Sequence, residues 1–227
     1  MHSNLYYDFI SLFFPRYCEA CANSLVKGEE LICTLCWSEL PKTNFHNNED
    51  NELKIRFFGK TTLENAYALL RFTKSGKVQQ LLHKLKYNNK PEIGVFLGKR
   101  FGAIIRNTIT QPFDLIIPVP LHKTRLRKRG YNQSDAFAEG LSEALQTPWI
   151  SDGIKRVVKS ETQTRKTRME RWENVANIFE LIRTEQIEGK RILLVDDVVT
   201  TGATLEACAN VISQKTANIS IATIAVA

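Results

Sequence analysis

Two aspartates stand side by side at Asp196 and Asp197. The apolar run Ile192–Val195 precedes them, and Val198-Val199-Thr200-Thr201-Gly202-Ala203-Thr204 follows. Ionised carboxylates only accept hydrogen bonds, so an adjacent pair suits the hydroxyls of a diol such as ribose. The next residues suit a phosphate. Gly202 permits a tight turn. Backbone N–H groups and the hydroxyls of Thr200, Thr201 and Thr204 can wrap an anion there. Leu205, Cys208, Ala209 and Ile212 recur at helical spacing, and a helix would point its positive end at the same anion. Surface acids on an ordinary strand–turn–helix are the bland alternative. Two acids followed by a full Thr-Thr-Gly-Ala-Thr loop argue against it.

A second constellation is basic. Asp114–Pro120 reads as a strand ending in prolines, and Leu121 and His122 follow. Lys123, Arg125, Arg127, Lys128 and Arg129 then crowd into seven positions before Gly130. A basic loop at the end of a strand is well placed for pyrophosphate. A solvated basic turn is the alternative, but cations at that density repel one another without an anion. Asn132 can cap a helix that continues through Phe137, Leu141 and Leu145.

Cys18 and Cys21 form one C-x-x-C pair; eleven residues later Cys33 and Cys36 form another. Paired knuckles at this spacing match Zn²⁺ held by four thiolates, a closed and structural site. Disulfides would need an oxidising compartment, and the sequence carries no export signal. A redox C-x-x-C would be single and open a helix. Gly28 supplies a turn between the knuckles, and the fifth cysteine, Cys208, reads as a small core residue.

The elements that must position these groups follow the apolar pattern. Ile192–Val195 reads as a strand buried on both faces of a parallel sheet, and ligands bind at the carboxyl edge of such sheets. Ala66–Phe72 and Ile219–Val226 read as further strands. Val78, Leu81, Leu82 and Leu85 give a helical stripe, and Pro91–Ile105 gives a second helix despite its glycines. His83 falls within the first helix and is assigned no role. The expected class is α/β, a mostly parallel sheet flanked by helices, with a small zinc-binding module at the N-terminus. Expected boundaries are 1–40 for an N-terminal helix and the module, 41–60 for a polar linker, and 61–227 for the main domain.

Composition sets limits. The 227 residues are 43% hydrophobic and 24% charged, ordinary for a globular protein. A formal charge of +7 favours anionic partners without specifying one. No apolar run approaches the roughly 18 residues that span a membrane. Met1–Phe14 carries Asp8 and lacks a basic start and a cleavage site, so it reads as an amphipathic helix rather than a signal peptide. A cytoplasmic location is expected.

Asp196–Thr204 resembles, position by position, the phosphoribosyl-pyrophosphate (PRPP) motif of type I phosphoribosyltransferases. Further runs carry a resemblance to the competence protein F family over nearly the whole chain. These are Pro118-Val119-Pro120-Leu121-His122, Arg129-Gly130-Tyr131-Asn132-Gln133, Arg156, Thr162-Gln163-Thr164, Arg171-Trp172-Glu173-Asn174, Phe179 and the four cysteines. The resemblance implies a type I phosphoribosyltransferase-like fold. It assigns the ribose and 5-phosphate of PRPP to Asp196, Asp197, Val198, Val199, Thr200, Thr201, Gly202, Ala203 and Thr204. It assigns pyrophosphate to a loop of Leu121, His122, Lys123, Arg125, Arg129 and Gly130. By order along the chain, Ser160–Arg171 would close over the site, bringing Arg165, Lys166, Arg168 and Arg171. The catalytic set would be Asp196, Asp197, Arg165 and Lys166. Mg²⁺ would accompany PRPP, and Zn²⁺ would be structural.

The implied reaction is pentosyl transfer to an unidentified acceptor with release of pyrophosphate. Ile219–Val226 falls at the end of the sequence, so any cover over the site is expected from the N-terminal region. Two other functions compete. One is a non-catalytic module for PRPP or a related sugar phosphate that also meets single-stranded DNA or DNA-processing proteins during DNA uptake in natural transformation. Tyr131 and Trp172 would then be candidates for stacking on bases. The other is a PRPP sensor without turnover. Oligomeric state is not legible.

Overall fold

The computed structural model describes residues 14–157 and 178–227. Most of the expected N-terminal helix lies outside those residues. So do Ser160–Arg171 with Arg165, Lys166, Arg168 and Arg171, and so does Trp172. In the first half of the chain come α1 (Thr34–Glu39), α2 (Glu52–Ile55), β1 (Ala66–Arg71), α3 (Lys77–Tyr87), α4 (Pro91–Ile105), β2 (Leu115–Pro118) and α5 (Lys123–Arg129). The second half adds α6 (Gln133–Leu145), β3 (Ile154–Arg156), β4 (Phe179–Leu181), α7 (Thr184–Ile187), β5 (Ile192–Val199), α8 (Ala203–Ile212) and β6 (Ile219–Val226).

Strand side chains alternate between faces, and here that alternation builds two cores. Leu193 and Val195 of β5 join Leu81, Leu85, Leu97 and Phe137 on one face. Ile192 and Leu194 join Ile117, Leu205 and Ile212 on the other. All four of these β5 residues are fully buried, as a strand covered on both faces requires. The sheet runs β1-β6-β5-β2 with every neighbouring pair parallel. This is the expected α/β architecture. β3 and β4 form a separate antiparallel pair, and the segment expected to close over the site falls between them in sequence.

The three glycines of α4 have a packing reason. Gly94, Gly98 and Gly102 face α6 at i, i+4 and i+8. A Cβ on Gly94 would lie 2.9 Å from Ala136 Cβ, and one on Gly102 would lie 2.6 Å from Ala144 Cβ. On α6, a Cβ at Gly140 would overlap the backbone oxygen of Val95. Gly140→Ala should therefore destabilise the domain by about 2 kcal/mol, because rigid backbone cannot yield to the methyl. Better helix propensity returns only about 1 kcal/mol. Urea unfolding checks this; an unchanged midpoint would contradict the close approach.

Three expectations need correction. Lys123–Arg129 is a helix, not a loop. The stretch contains no glycine or proline, His122 caps it by accepting from Thr124 N at 3.3 Å, and Gly130 ends it at φ +81°. The strand before Asp196 does not stop there: β5 runs on to Val199, pairing Val198 with Ala225 and Val199 with Val226. Residues 41–60 do not hang as a polar linker. Phe45, Leu53 and Phe57 are buried in the main core, and Asn51 caps α2 by accepting from Leu53 N and Lys54 N, both at 3.1 Å.

The four cysteines sit in a compact unit on the α3–α4 side of the domain. Cys18, Ala20, Ile32, Cys36 and Leu40 share one core with Leu81, Leu82 and Phe96. Trp37 meets Phe96 edge-on at 5.9 Å. Glu19, between the first two cysteines, pairs with Lys84 at 2.9 Å and Lys90 at 3.3 Å. Gly28 turns the intervening segment at φ +90°, and Glu29 holds it by accepting from Val26 N and Thr34 N.

Candidate functional site

The carboxyl edge of the sheet carries the chemistry. β2 ends at Pro118 opposite Val195 of β5. Beyond that point β5 continues alone on its β2 side and presents Asp196 and Asp197. The two acids have different partners. Asp196 Oδ1 accepts from Ser134 Oγ at 3.0 Å and from Asp197 N at 2.8 Å. Asp197 Oδ2 lies 3.0 Å from Lys86 Nζ. Burial, then the charge of Asp197, pushes Asp196 up to about 7, against the pull of its two donors and Lys86. Asp135, one residue past Ser134, is also raised by burial, to about 6, although Asn132 Nδ2 donates to it at 2.6 Å.

The Thr loop follows at once. Asp196, Val198–Gly202 and Ala203–Leu205 line one small recess. Thr200, Thr201 and Thr204 are exposed. Gly202 takes φ +85° at the start of α8, a conformation that L side chains rarely adopt. A Cβ there would also stand 3.0 Å from the ring of Phe57. The loop is braced from below: Arg56 Nη1 donates to Thr200 O at 3.0 Å and Ala227 O at 2.7 Å. The helix expected after the loop forms, with Leu205, Cys208, Ala209 and Ile212 all buried. Cys208 is a core residue, as its spacing predicted.

The basic group leaves the same edge one strand away. Val119 N donates to Val195 O at 2.8 Å, so α5 begins beside the acid pair. Lys123, Arg125, Arg127 and Lys128 are exposed, and Leu121 and His122 are half-buried. Arg129 is held instead by Gln133 Oε1 at 2.6 Å and by the Tyr87 ring at 5.1 Å. Tyr131 is a packing residue: it donates its hydroxyl to Leu85 O and lies against the core. Asn132 caps α6 as expected, accepting from Ser134 N at 3.3 Å.

Lys86, Ser134 and Arg56 were not singled out by sequence reasoning. Their signals were weak. Lys86 sits one residue past the buried stripe of α3, Ser134 lies in the first turn of α6, and Arg56 lies in the segment taken for a linker.

The cysteine cluster passes a geometric test for a metal. All four Sγ atoms lie within 4.8 Å of one another, and Cys21 Sγ lies 3.9 Å from Cys33 Sγ. Bonds of about 2.3 Å at tetrahedral angles give S–S edges of about 3.8 Å. Backbone N–H groups already point at sulfur: Cys33 N donates to Cys18 Sγ at 3.3 Å, and Cys36 N donates to Cys33 Sγ at 3.4 Å. Burial opposes the Cys18 thiolate, but N–H donors from Cys33, Ala20 and Cys21 outweigh it and leave that thiol at about 7. This cluster could hold a metal ion. Among the described residues, no helix is long and apolar enough to cross a membrane.

The phosphoribosyl transferase domain family matches residues 132–227, from the cap of α6 to the last residue of the sequence. Competence protein F of Haemophilus influenzae is 38% identical over 131 residues, covering 55% of this chain and 57% of that protein. DNA utilization protein YhgH of Escherichia coli K12 is 35% identical over 129 residues, covering 55% and 56%. The matches thus span little more than half the length of these two relatives. Competence protein ComFC of Bacillus subtilis is 27% identical over 201 residues, covering 88% of this chain and 79% of that protein. With the parallel sheet, the adjacent acids of β5 and the clustered cysteines, these matches make the chain similar to the competence protein F proteins, with a phosphoribosyl transferase domain over residues 132–227.

Proposed function

We propose that this protein binds PRPP at the carboxyl edge of its sheet and transfers the phosphoribosyl group to an acceptor, releasing pyrophosphate. One observation carries the reading: β5 brings Asp196, Asp197 and the Thr200–Thr204 loop into contiguous positions, and α5 starts one strand away. Asp196 and Asp197 take the ribose hydroxyls. Val198, Val199, Thr200, Thr201, Gly202, Ala203 and Thr204 take the 5-phosphate through N–H groups and hydroxyls. Leu121, His122, Lys123, Arg125 and Gly130 face the pyrophosphate from the start and end of α5. Arg129 is engaged with Gln133 and Tyr87, so it takes the outer rim.

In the reaction, the C1–O bond to pyrophosphate breaks as a nucleophile of the acceptor bonds to C1. Negative charge grows on the leaving group, and the cations of α5 stabilise it. Remote binding of the 5-phosphate and the diol fixes the geometry at C1. Mg²⁺ carried by PRPP would supply further charge neutralisation. Arg165 and Lys166 belong to the segment we assign to closure. We assign Zn²⁺ to Cys18, Cys21, Cys33 and Cys36 as a structural ion, since four thiolates leave no open position for chemistry. A reducing cytoplasm would keep those thiols available.

A second reading has its own support. Four exposed cations on α5, and the words competence and DNA utilization in the names of relatives, favour a module that contacts single-stranded DNA. One assay separates the two: pyrophosphate release from PRPP and Mg²⁺ across a panel of bases and amines, beside binding of a DNA oligonucleotide at several salt concentrations. Release with one acceptor supports transfer. Salt-sensitive DNA binding with no release under any acceptor supports the module.

A further inference from the structure

The acid pair carries a cation that its own strand does not supply. Lys86 reaches it from the last turn of α3, with Nζ 3.0 Å from Asp197 Oδ2. Both side chains are largely shielded, at 23% and 14% exposure. Among the described residues, no other lysine or arginine lies in ion-pair contact with either aspartate. The Lys86 side chain also lines an apolar cleft with Phe72, Leu82, Tyr87, Val198 and Thr200, so it stands between that cleft and the acids.

Two neighbouring carboxylates at the rim of a recess would ordinarily attract a hard divalent cation, which favours oxygen ligands. An ammonium on Asp197 opposes this in two ways. It occupies the oxygen the metal would use, and its charge repels the metal. A hydroxyl meets neither obstacle. It donates to the carboxylate and accepts from the ammonium, which has three donors to share.

We propose that Lys86 is a specificity-determining residue that keeps Asp196 and Asp197 from binding a bare divalent cation and reserves them for hydroxyl groups. The sugar half of this role rests on the PRPP reading. The metal half does not, and the test uses the metal alone.

Mn²⁺ is titrated into the purified full chain without any sugar phosphate, and bound metal is read by electron paramagnetic resonance. The wild type should show no saturable site in the low millimolar range. Lys86→Met should gain one Mn²⁺ with affinity at least tenfold higher, and adding Asp197→Asn should remove it. Lys86→Arg should stay like the wild type, since it keeps the charge. Lys86→Gln repeats the test should Lys86→Met fail to fold, and near-ultraviolet circular dichroism reports folding in each case. A folded Lys86→Met or Lys86→Gln chain that binds Mn²⁺ no more tightly than the wild type overturns the proposal. So does a wild type that already binds Mn²⁺ through Asp197. A chain that gains Mn²⁺ on loss of Lys86 yet never binds PRPP would sink the PRPP reading and support the role of Lys86.

Discussion

Asp196→Asn combined with Asp197→Asn is expected to weaken PRPP binding by at least about 100-fold while leaving the domain folded. Each charged hydrogen bond to a ribose hydroxyl contributes about 1.5–3 kcal/mol. Losing the charge at two of them gives about 3–6 kcal/mol, and every 1.4 kcal/mol is tenfold. Stability moves far less. Asp196 titrates at about 7 in the fold, above the ordinary carboxylate value of 3.8. The folded state therefore binds the Asp196 proton more tightly than the unfolded state does. Its stabilising effect is full at low pH and is lost as pH rises through about 7. At pH 8 the ionised Asp196 opposes folding, so Asn at this position relieves a penalty. Asn at 197 leaves Lys86 without its counter-ion, a loss of about 1.5–3 kcal/mol for a largely shielded, hydrogen-bonded pair. The two effects oppose each other. Equilibrium dialysis with PRPP and thermal melting at pH 8 measure both halves. Undiminished affinity in a folded double variant would remove the acids from the site.

The second large effect concerns the cysteine module. The chain should purify with one zinc, and Cys36→Ser should abolish binding and release the segment from Cys18 to Leu40 from protection against hydrogen exchange. α1 is only six residues long, and of the five residues of this segment buried in the shared core (Cys18, Ala20, Ile32, Cys36 and Leu40) two are the cysteines themselves and one is an alanine. For so small a unit, metal binding free energy is largely folding free energy, on the order of 10 kcal/mol at neutral pH. Burial and the neighbouring thiols push Cys36 up to about 12 without a metal, so the metal-free state keeps a neutral, buried thiol there. The sheet should survive, because β1, β6, β5 and β2 pair without the module. Exchange mass spectrometry with metal analysis tests this. A zinc-free chain with full protection over 18–40 would contradict it.

Much of the fold could be read from the chain because burial imposes a pattern. β6 and α4 fall at their predicted residues, since one is continuously apolar and the other keeps helical spacing through its glycines. The Thr loop could be read because consecutive residues build it. Features assembled from distant segments were not legible. Lys86 looks like any solvated helix lysine until α3 is packed against β5. Arg56 and Phe57 sit in a polar stretch whose short helix owes more to Asn51 and the core than to periodicity. The error at Lys123–Arg129 had another cause: charge density suggested an anion-binding loop, while capping by His122 and Gly130 decided the backbone.

The central claim is that residues 196–204 are where PRPP sits. Backbone amide shifts of the isotope-labelled chain, followed during titration with PRPP and Mg²⁺, test it most directly. Saturable shifts should concentrate on Asp196–Thr204 and the first turn of α8, with a second set at His122–Arg125. Saturable binding that leaves Val198–Thr204 unmoved, or an absence of shifts throughout, would contradict the account.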